Sequence, residues 1–171
     1  MAKIAVLIED MFEDSEYGKP AEAFEKAGHE LVHISVKKEP VKGLHTGKKV
    51  KIEKLISEVQ ANEFDALFIP GGYSPDRLRV DDEVVSFVRE FSKSGKPLFF
   101  ICHGAQLLIT ADALRGRKVT GYKSIVQDIK NAGAQYLNQE VVEDNNFISS
   151  RYPDDIPAFI TACLNMLKKY K

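Results

Sequence analysis

The sequence predicts an α/β fold with a mostly parallel central sheet, and three observations point to this class. Short apolar runs alternate with amphipathic stretches from one end of the 171-residue chain to the other. The runs at residues 4–8 and 98–101 are continuously apolar, which is typical of parallel strands covered on both faces. Residues 84–91 repeat apolar side chains at helical spacing. Together these patterns predict a doubly wound sheet with helices on both faces.

The first half of the chain contains a helix that is predicted from its two ends. Pro20 lies in the first turns of this helix, and Gly28 follows its last residue. Further on, Gly43 and Gly47 stand between β-prone residues, which indicates a hairpin. In chain order, this half is predicted to contain a strand at 4–8, a helix at 17–27, a strand at 31–36, a hairpin at 41–52, a short helix at 55–59 and a strand at 64–69.

The second half opens with the clearest helix of the chain. Val84, Phe87, Val88 and Phe91 follow the i, i+3, i+4, i+7 pattern, an aspartate at position 81 or 82 is the expected N-cap, and a glycine at position 95 follows the end. In chain order, the rest is predicted to contain a strand at 97–101, a helix at 104–111, a strand at 118–120, a helix at 124–131 capped by Ser124, two strands at 141–143 and 147–149 around a turn, and a closing helix at 156–167.

The composition is that of an ordinary soluble globular protein. Hydrophobic residues make up 44% and charged residues 29%, so we expect one domain over residues 1–171. The formal net charge is −1, which gives no broad basic field to attract nucleic acid or anionic lipid. No segment approaches the ~20 apolar residues of a membrane span. We therefore expect no nucleic-acid partner and no membrane partner.

The cysteines, histidines and glycines exclude several further classes of site. Two cysteines do not suggest a disulfide framework, so free thiols in the cytoplasm are expected. The four histidines have no metal-ligand spacing. The glycines match neither the G-x-G-x-x-G pattern nor the P-loop. The sequence therefore predicts no metal site and no cofactor.

Cys102 is the strongest candidate for a reactive group. It lies where the strand at 97–101 stops and a helix starts at Gly104. A nucleophile on such a turn sits in strained backbone above the sheet. The helix N-terminus favours the thiolate, which is the reactive form, so we expect Cys102 to be largely ionised at neutral pH. Cys163, on the apolar face of the last helix, is expected to be an inert buried residue.

The residues around this turn suggest further parts of a site. His103 is adjacent in sequence, so its side chain is expected to point away from the sulfur unless the turn bends sharply. Gly71 and Gly72 end the neighbouring strand, and their N–H groups, with that of His103, are predicted to bind a developing oxyanion. The first loop is rich in acid. Its Glu9, Asp10 and Asp14 side chains are expected to be solvated, and a buried carboxyl group of this loop that reached the sulfur would be protonated.

Seven short motifs, spread over essentially the whole chain, form a specific combination. They are Phe12-Glu13-Asp14-Ser15-Glu16, Ile69-Pro70-Gly71-Gly72, Pro75-Asp76-Arg77, Ile101-Cys102-His103-Gly104, Leu114-Arg115-Gly116-Arg117, Asn131-Ala132-Gly133-Ala134 and Ser149-Ser150-Arg151. This combination resembles the PfpI (intracellular protease I; ThiJ/PfpI) superfamily. The resemblance implies a flavodoxin-like three-layer α/β/α sandwich with a mostly parallel central sheet, and a homo-oligomer of at least two copies.

The resemblance also implies roles for individual residues. Cys102 is the nucleophile, Glu16 is the carboxyl group hydrogen-bonded to its sulfur, and the N–H groups of Gly72 and His103 form the oxyanion hole. In the peptidase branch, His103 is the base and a glutamate of a neighbouring subunit orients it. The matching residue here is Asp76, one methylene shorter, which disfavours an efficient peptidase. Tyr122 matches a tyrosine that lines the site.

Several functions remain open at this point. The first is a cysteine hydrolase, either an intracellular peptidase or a deglycase or glyoxalase-like enzyme acting on methylglyoxal adducts. Its substrate would be a peptide, a glycated protein or a small aldehyde. The second is a non-enzymatic oxidative-stress sensor or chaperone, in which Cys102 is oxidised to sulfenic or sulfinic acid. A third is a binding domain with an inert thiol.

Overall fold

A seven-stranded sheet forms the centre of the computed structural model, which describes residues 1–170. In chain order its strands are β1 (Lys3–Leu7), β2 (Glu30–Ser35), β5 (Lys54–Leu55), β6 (Ala66–Ile69), β7 (Leu98–Ile101), β10 (Val142–Asp144) and β11 (Phe147–Ser150). Two small pairs lie outside this sheet: β3 (Val41–Lys42) with β4 (Lys49–Val50), and β8 (Lys118–Val119) with β9 (Gln135–Tyr136).

The order of the strands confirms the flavodoxin-like arrangement. Across the sheet the order is β10-β11-β7-β6-β1-β2-β5, and only the β10–β11 pair is antiparallel. The central five strands, counted along the chain, follow the order 2-1-3-4-5 that is typical of this fold. In such a sheet the ligand site lies beyond the carboxyl ends of the strands, near the point where the strand order reverses. Here that point lies between β1 and β6.

Helices cover both faces of the sheet. They are α1 (Asp14–Lys26), α2 (Ser74–Leu78), α3 (Asp82–Lys93), α4 (Ala105–Thr110), α5 (Val126–Asn131) and α6 (Ile156–Lys169). One apolar core joins the sheet to α1 and α6, and the second joins it to α2, α3, α4 and α5. Among residues 1–170, no helix is both long enough and apolar enough to cross a membrane.

The strongly patterned elements lie where the sequence predicts them. Helix α3 begins after Asp81, whose side chain accepts hydrogen bonds from the N–H groups of Glu83 and Val84 at 2.9 and 3.0 Å. The glycine hairpin forms as the β3–β4 pair, and the turn between β10 and β11 contains Asn145 with a φ of 52°.

Four elements differ from the prediction. Helix α1 begins at Asp14 rather than at residue 17, because the Glu13 side chain accepts the N–H groups of Ser15 and Glu16 at 2.9 and 3.0 Å and so caps the first turn. The predicted short helix at 55–59 is instead strand β5 followed by a 3₁₀ turn over Ile56–Glu58. Helix α2 and strand β9 were not predicted, because five and two residues are too few to show a periodic pattern.

Phe68 on β6 ties both helices of one face to the sheet. Its ring is fully buried and lies 5.6 Å from that of Phe24 on α1 and 6.2 Å from that of Phe159 on α6, measured between centroids. We expect Phe68→Ala to lower the free energy of unfolding by about 3–5 kcal/mol, because it removes a large buried side chain and leaves a cavity. Urea denaturation measures this loss. The half-exposed Val36→Ala should cost less than about 1 kcal/mol, and equal losses for the two variants would contradict this view of the core.

Candidate active site

Three chain segments meet beyond the carboxyl ends of β1, β6 and β7. Glu16 comes from the first turn of α1, Gly71 and Gly72 follow β6, and Cys102 follows β7. These strands are adjacent in the sheet, so their ends bring the three segments together. The sequence pattern predicts that the glycines and Cys102 lie at this edge of the sheet, and the family resemblance implies that Glu16 lies there too. The structure brings all of them into one site.

Cys102 occupies a strained position on a tight turn. Its φ of 61° lies in the left-handed region that residues with a side chain rarely adopt, and a 3₁₀ turn over Cys102–Gly104 leads directly into α4. A Cβ added to Gly104 would lie 2.7 Å from the carbonyl oxygen of Ile69, so this turn passes close against β6. Strain of this kind is expected where the fold holds a reactive side chain in place. The predicted strained turn is therefore confirmed.

Glu16 is completely buried beside Cys102. Neither of its carboxyl oxygens has a hydrogen-bond partner of normal geometry within residues 1–170. The space for this carboxyl group exists because residue 71 is glycine: an added Cβ would lie 2.3 Å from Glu16 Oε1 and 2.9 Å from Cys102 Cβ. Burial, together with the nearby charge of Glu13, raises the pKa of Glu16 to about 8. At neutral pH Glu16 is therefore a neutral acid that carries a proton.

The environment of the Cys102 thiol differs from the expectation. Only 6% of the residue is exposed, and this burial raises its pKa. Charge on Glu16 would raise the pKa further, whereas the N–H groups of His103 and Gly72 lower it. The expectation that a helix N-terminus ionises this thiol at neutral pH is therefore wrong, because burial outweighs the backbone N–H groups. Because Glu16 is protonated at neutral pH, its negative charge is absent and does not oppose ionisation of the thiol.

Two backbone N–H groups face the sulfur. The neighbours of Gly72 are fixed by hydrogen bonds from Tyr73 N to Met11 O at 2.8 Å and from Glu13 N to Gly71 O at 3.2 Å. The N–H groups of Gly72 and His103 each interact with the Cys102 sulfur, and this interaction lowers the pKa of the thiol. Gly72 has a φ of 80°, and a Cβ added there would lie 2.5 Å from backbone atoms of the first loop. Glycine is therefore required at this position.

His103 turns toward the sulfur rather than away from it. Its Nδ1 lies 3.4 Å from Cys102 Sγ, because the left-handed backbone of Cys102 bends the chain sharply. The Tyr122 ring lies against the imidazole, with 5.0 Å between centroids, and the Tyr122 N–H donates to the Cys102 carbonyl at 3.2 Å. Burial lowers the pKa of His103, and the charge of Asp76 opposes this shift. The imidazole is therefore neutral at neutral pH and able to accept a proton.

Asp76 contributes to the site only through its charge. It lies exposed on α2, whose residues pack against the turn that carries Cys102. Within the single chain described, over residues 1–170, no hydrogen bond joins Asp76 to His103; the carboxylate acts on the imidazole at longer range. Contact between Asp76 and the histidine of another subunit stays a prediction.

Ser124 is a site residue that sequence reasoning misplaced. It was predicted as the cap of a helix, but neither the 3₁₀ turn over Lys123–Ile125 nor α5 has a side-chain cap. Its Oγ lies 3.3 Å from Nε2 of His103 instead. No sequence pattern pointed to this contact, because the two residues are 21 positions apart and lie on unrelated turns.

The acidic side chains of the first loop form hydrogen bonds and ion pairs within the protein rather than pointing into solvent. Glu9 is buried and its side chain accepts the N–H of Asp10 at 2.7 Å. Asp10 pairs with Lys37, and Asp14 accepts the N–H of His45 at 2.8 Å. The expectation of a solvated acidic loop is therefore wrong. Asp10, which also accepts the Lys42 N–H at 2.9 Å, and Asp14 hold the β3–β4 hairpin against the first loop.

Glu13, Asp14 and His45 are the residues here whose atoms could hold a cation, since one ligand atom of each lies within 4.8 Å of the others. Their atoms already have protein partners. Glu13 Oε1 pairs with His45 Nε2 at 3.1 Å, and the other oxygen caps α1. The positive end of the α1 dipole also disfavours a cation at this place. These three residues therefore belong to the same set of contacts that joins the first loop to the β3–β4 hairpin.

Several known proteins are similar to this chain over nearly its whole length. The sequence profile described as the DJ-1/PfpI family matches residues 2–166. The relative named "Protein/nucleic acid deglycase 2" from Escherichia coli (strain K12) is 54% identical over 167 residues, covering 96% of this chain and 97% of that protein. The relative named "Putative cysteine protease YraA" from Bacillus subtilis (strain 168) is 52% identical over 167 residues, covering 97% and 98%.

A solved structure from Anabaena variabilis has a very similar fold. It is a two-domain protein with DJ-1/ThiJ/PfpI-like and ferritin-like domains, and it superposes with a TM-score of 0.95 at 40% identity. The match covers 98% of this chain and 48% of that one, so the present chain spans about half of that protein.

The coupling of Glu16 to Cys102 predicts the pH dependence of thiol reactivity. Because the two groups lose protons as a pair, the reactive thiolate should increase with pH only until the pair has released its first proton, near the Glu16 pKa of about 8. The rate of Cys102 alkylation by iodoacetamide should therefore rise through neutral pH and level off above about 8.

Glu16→Gln tests this coupling, because it removes the competing carboxyl group and keeps its shape. The rate should then continue to rise above the pH at which the original protein levels off. Measurements in a Cys163→Ala background exclude the second thiol, which is fully buried on α6. Identical pH profiles with and without the substitution would show that the two groups are not coupled.

Proposed function

The chain belongs to the DJ-1/PfpI family, and from this premise we propose that it is a cysteine-dependent hydrolase that removes carbonyl adducts from glycated substrates. Cys102 is the proposed nucleophile. The printed name of the Escherichia coli relative supports the substrate class, since it describes a deglycase. One observation of this chain carries the proposal: a strained cysteine lies against a buried, protonated glutamic acid and a neutral histidine.

The proposed reaction begins with transfer of the thiol proton to His103. Its Nδ1 lies 3.4 Å from Cys102 Sγ, which is the distance of a sulfur hydrogen bond. The sulfur then attacks the carbonyl carbon of the adduct, forming a C–S bond while the carbonyl π electrons move to oxygen. The N–H groups of Gly72 and His103, which already face the sulfur, stabilise that oxyanion.

Glu16 supplies the second proton that the reaction needs. With a pKa of about 8 it carries that proton at neutral pH, and in the proposed reaction it gives the proton to the oxyanion. The bond from the adjacent carbon to the amine or thiol then breaks: the hydroxyl group on that carbon gives its proton to Glu16 and becomes a carbonyl, and the departing group takes the proton that His103 holds. The C–S bond breaks last, as the hydroxyl group on the attacked carbon re-forms its carbonyl and its proton returns to the sulfur through His103. Each step uses buried or half-buried groups that lie around Cys102.

The geometry within one chain supports adduct removal, because that reaction needs no triad. A peptidase triad needs a carboxylate that hydrogen-bonds and orients the histidine. Asp76 is exposed and acts on His103 only through its charge, whereas the adduct reaction relies on the buried Glu16. Peptidase activity, which the name of the Bacillus subtilis relative suggests for that protein, is the second candidate.

The first test compares the two cysteines on two substrates, a methylglyoxal adduct of a small thiol and a fluorogenic peptide. Cys102→Ala should reduce adduct removal about 1000-fold or more, because the nucleophile is lost. Cys163→Ala is the matched control and should keep most of the activity, since Cys163 is buried in α6. Equal activity of the two variants would overturn the proposed nucleophile.

Asp76→Ala separates the two branches in the same assay. Adduct removal should stay within about twofold, and any peptide hydrolysis should fall about tenfold or more. A fall of about tenfold or more in adduct removal would contradict a mechanism that does not depend on Asp76. If the unaltered protein acts on neither substrate and peroxide adds two oxygens to Cys102, the sensor function replaces both.

We also propose a cytoplasmic homo-oligomer of at least two copies. Support for self-association comes from Tyr73 and Val80, which flank α2 and are 57% and 82% exposed although both are large and apolar. Sedimentation velocity should therefore show a species larger than the monomer, and Val80→Asp should shift it toward lower mass. A protein that sediments as a monomer at all concentrations would contradict this proposal.

A further inference from the structure

The hydrogen bonds of His103 define an ordered line of three side chains. Cys102 Sγ lies 3.4 Å from Nδ1, and Ser124 Oγ lies 3.3 Å from Nε2, so each ring nitrogen has its own partner. The Tyr122 ring covers one face of the imidazole and restricts its rotation. The ring is therefore held with Nδ1 toward the sulfur and Nε2 toward the serine.

A neutral imidazole has one N–H and one lone pair, and its neighbours decide which nitrogen carries the proton. To accept the thiol proton, Nδ1 must present its lone pair, so the proton of the neutral ring must be on Nε2. A serine hydroxyl can accept that Nε2–H, and within residues 1–170 Ser124 is the side chain that hydrogen-bonds to this nitrogen.

We propose that Ser124 is a positioning residue that holds His103 in the Nε2–H form, so that the Nδ1 lone pair faces the Cys102 thiol. The inference rests on the proposed function for its catalytic meaning, but the position of the proton is a property of the resting protein. In the step it serves, the S–H bond breaks and an Nδ1–H bond forms. Ser124 Oγ accepts the Nε2–H before and after this transfer.

Other groups near His103 do not replace this contact. Asp76 on α2 acts through charge, which favours the protonated ring but does not distinguish its two nitrogens. Tyr122 contacts the ring face, where no N–H is available. Cys102 lies on the Nδ1 side. Within residues 1–170, Ser124 is therefore the side chain placed to accept an Nε2–H.

The test uses Ser124→Ala, Ser124→Thr and a control, Ser57→Ala, at an exposed serine outside the site. Nitrogen NMR of imidazole-labelled protein, with the His103 signal assigned by its loss in His103→Gln, reports which nitrogen carries the proton. We expect the Nε2–H form in the original protein and in Ser124→Thr, which keeps the hydroxyl. Ser124→Ala should shift the population toward the Nδ1–H form, and Ser57→Ala should leave it unchanged.

Kinetics should follow the same pattern. For adduct removal, kcat of Ser124→Ala should fall about fivefold with little change in KM, since one hydrogen bond is lost away from the substrate, and Ser124→Thr should restore it. An unchanged proton position in Ser124→Ala overturns the inference, whether or not the protein is active. If no variant and no original protein removes adducts, the proposed function fails, and the NMR result alone still decides the role of Ser124.

Discussion

The site depends on one close contact, in which the Glu16 carboxyl group is buried against Cys102 in the space left by the missing side chain of Gly71. A buried carboxyl group with no normal hydrogen-bond partner is costly in its charged form, so it retains its proton to about pH 8. A neutral acid beside the sulfur repels no thiolate and can give its proton to an oxyanion. His103 and the Gly72 N–H then interact with a sulfur that already lies beside this neutral acid.

The fold creates that contact at the ends of three adjacent parallel strands. Helix α1 starts early because Glu13 caps it, and this start places Glu16 in the first turn, facing the end of β6. The same Glu13 charge helps to raise the pKa of Glu16. One side chain thus both begins the helix and adjusts the acid that the helix carries, which links the stability of the first turn to the chemistry of the site.

Much of the fold follows from sequence pattern, and less of the site does. Helix α3 and the turn at Cys102 were predictable because apolar spacing and a strand-to-helix junction are local signals. The bend of His103 toward the sulfur was not, because it depends on a left-handed φ at a cysteine, which no local pattern reveals. Ser124 was assigned to a cap because serine favours caps, whereas its partner lies 21 positions away. The raised pKa of the thiol was also missed, since burial is a property of the packed chain.

The central claim is that Glu16 is a protonated acid at neutral pH. Infrared difference spectroscopy of the protein against Glu16→Gln, over a pH series, detects the carbonyl stretch of a protonated carboxyl group directly. If this claim holds, a protonated-acid band is present at neutral pH only with Glu16 and disappears with a midpoint of about 8. A carboxylate signal from Glu16 already at neutral pH, with no protonated band, would contradict it.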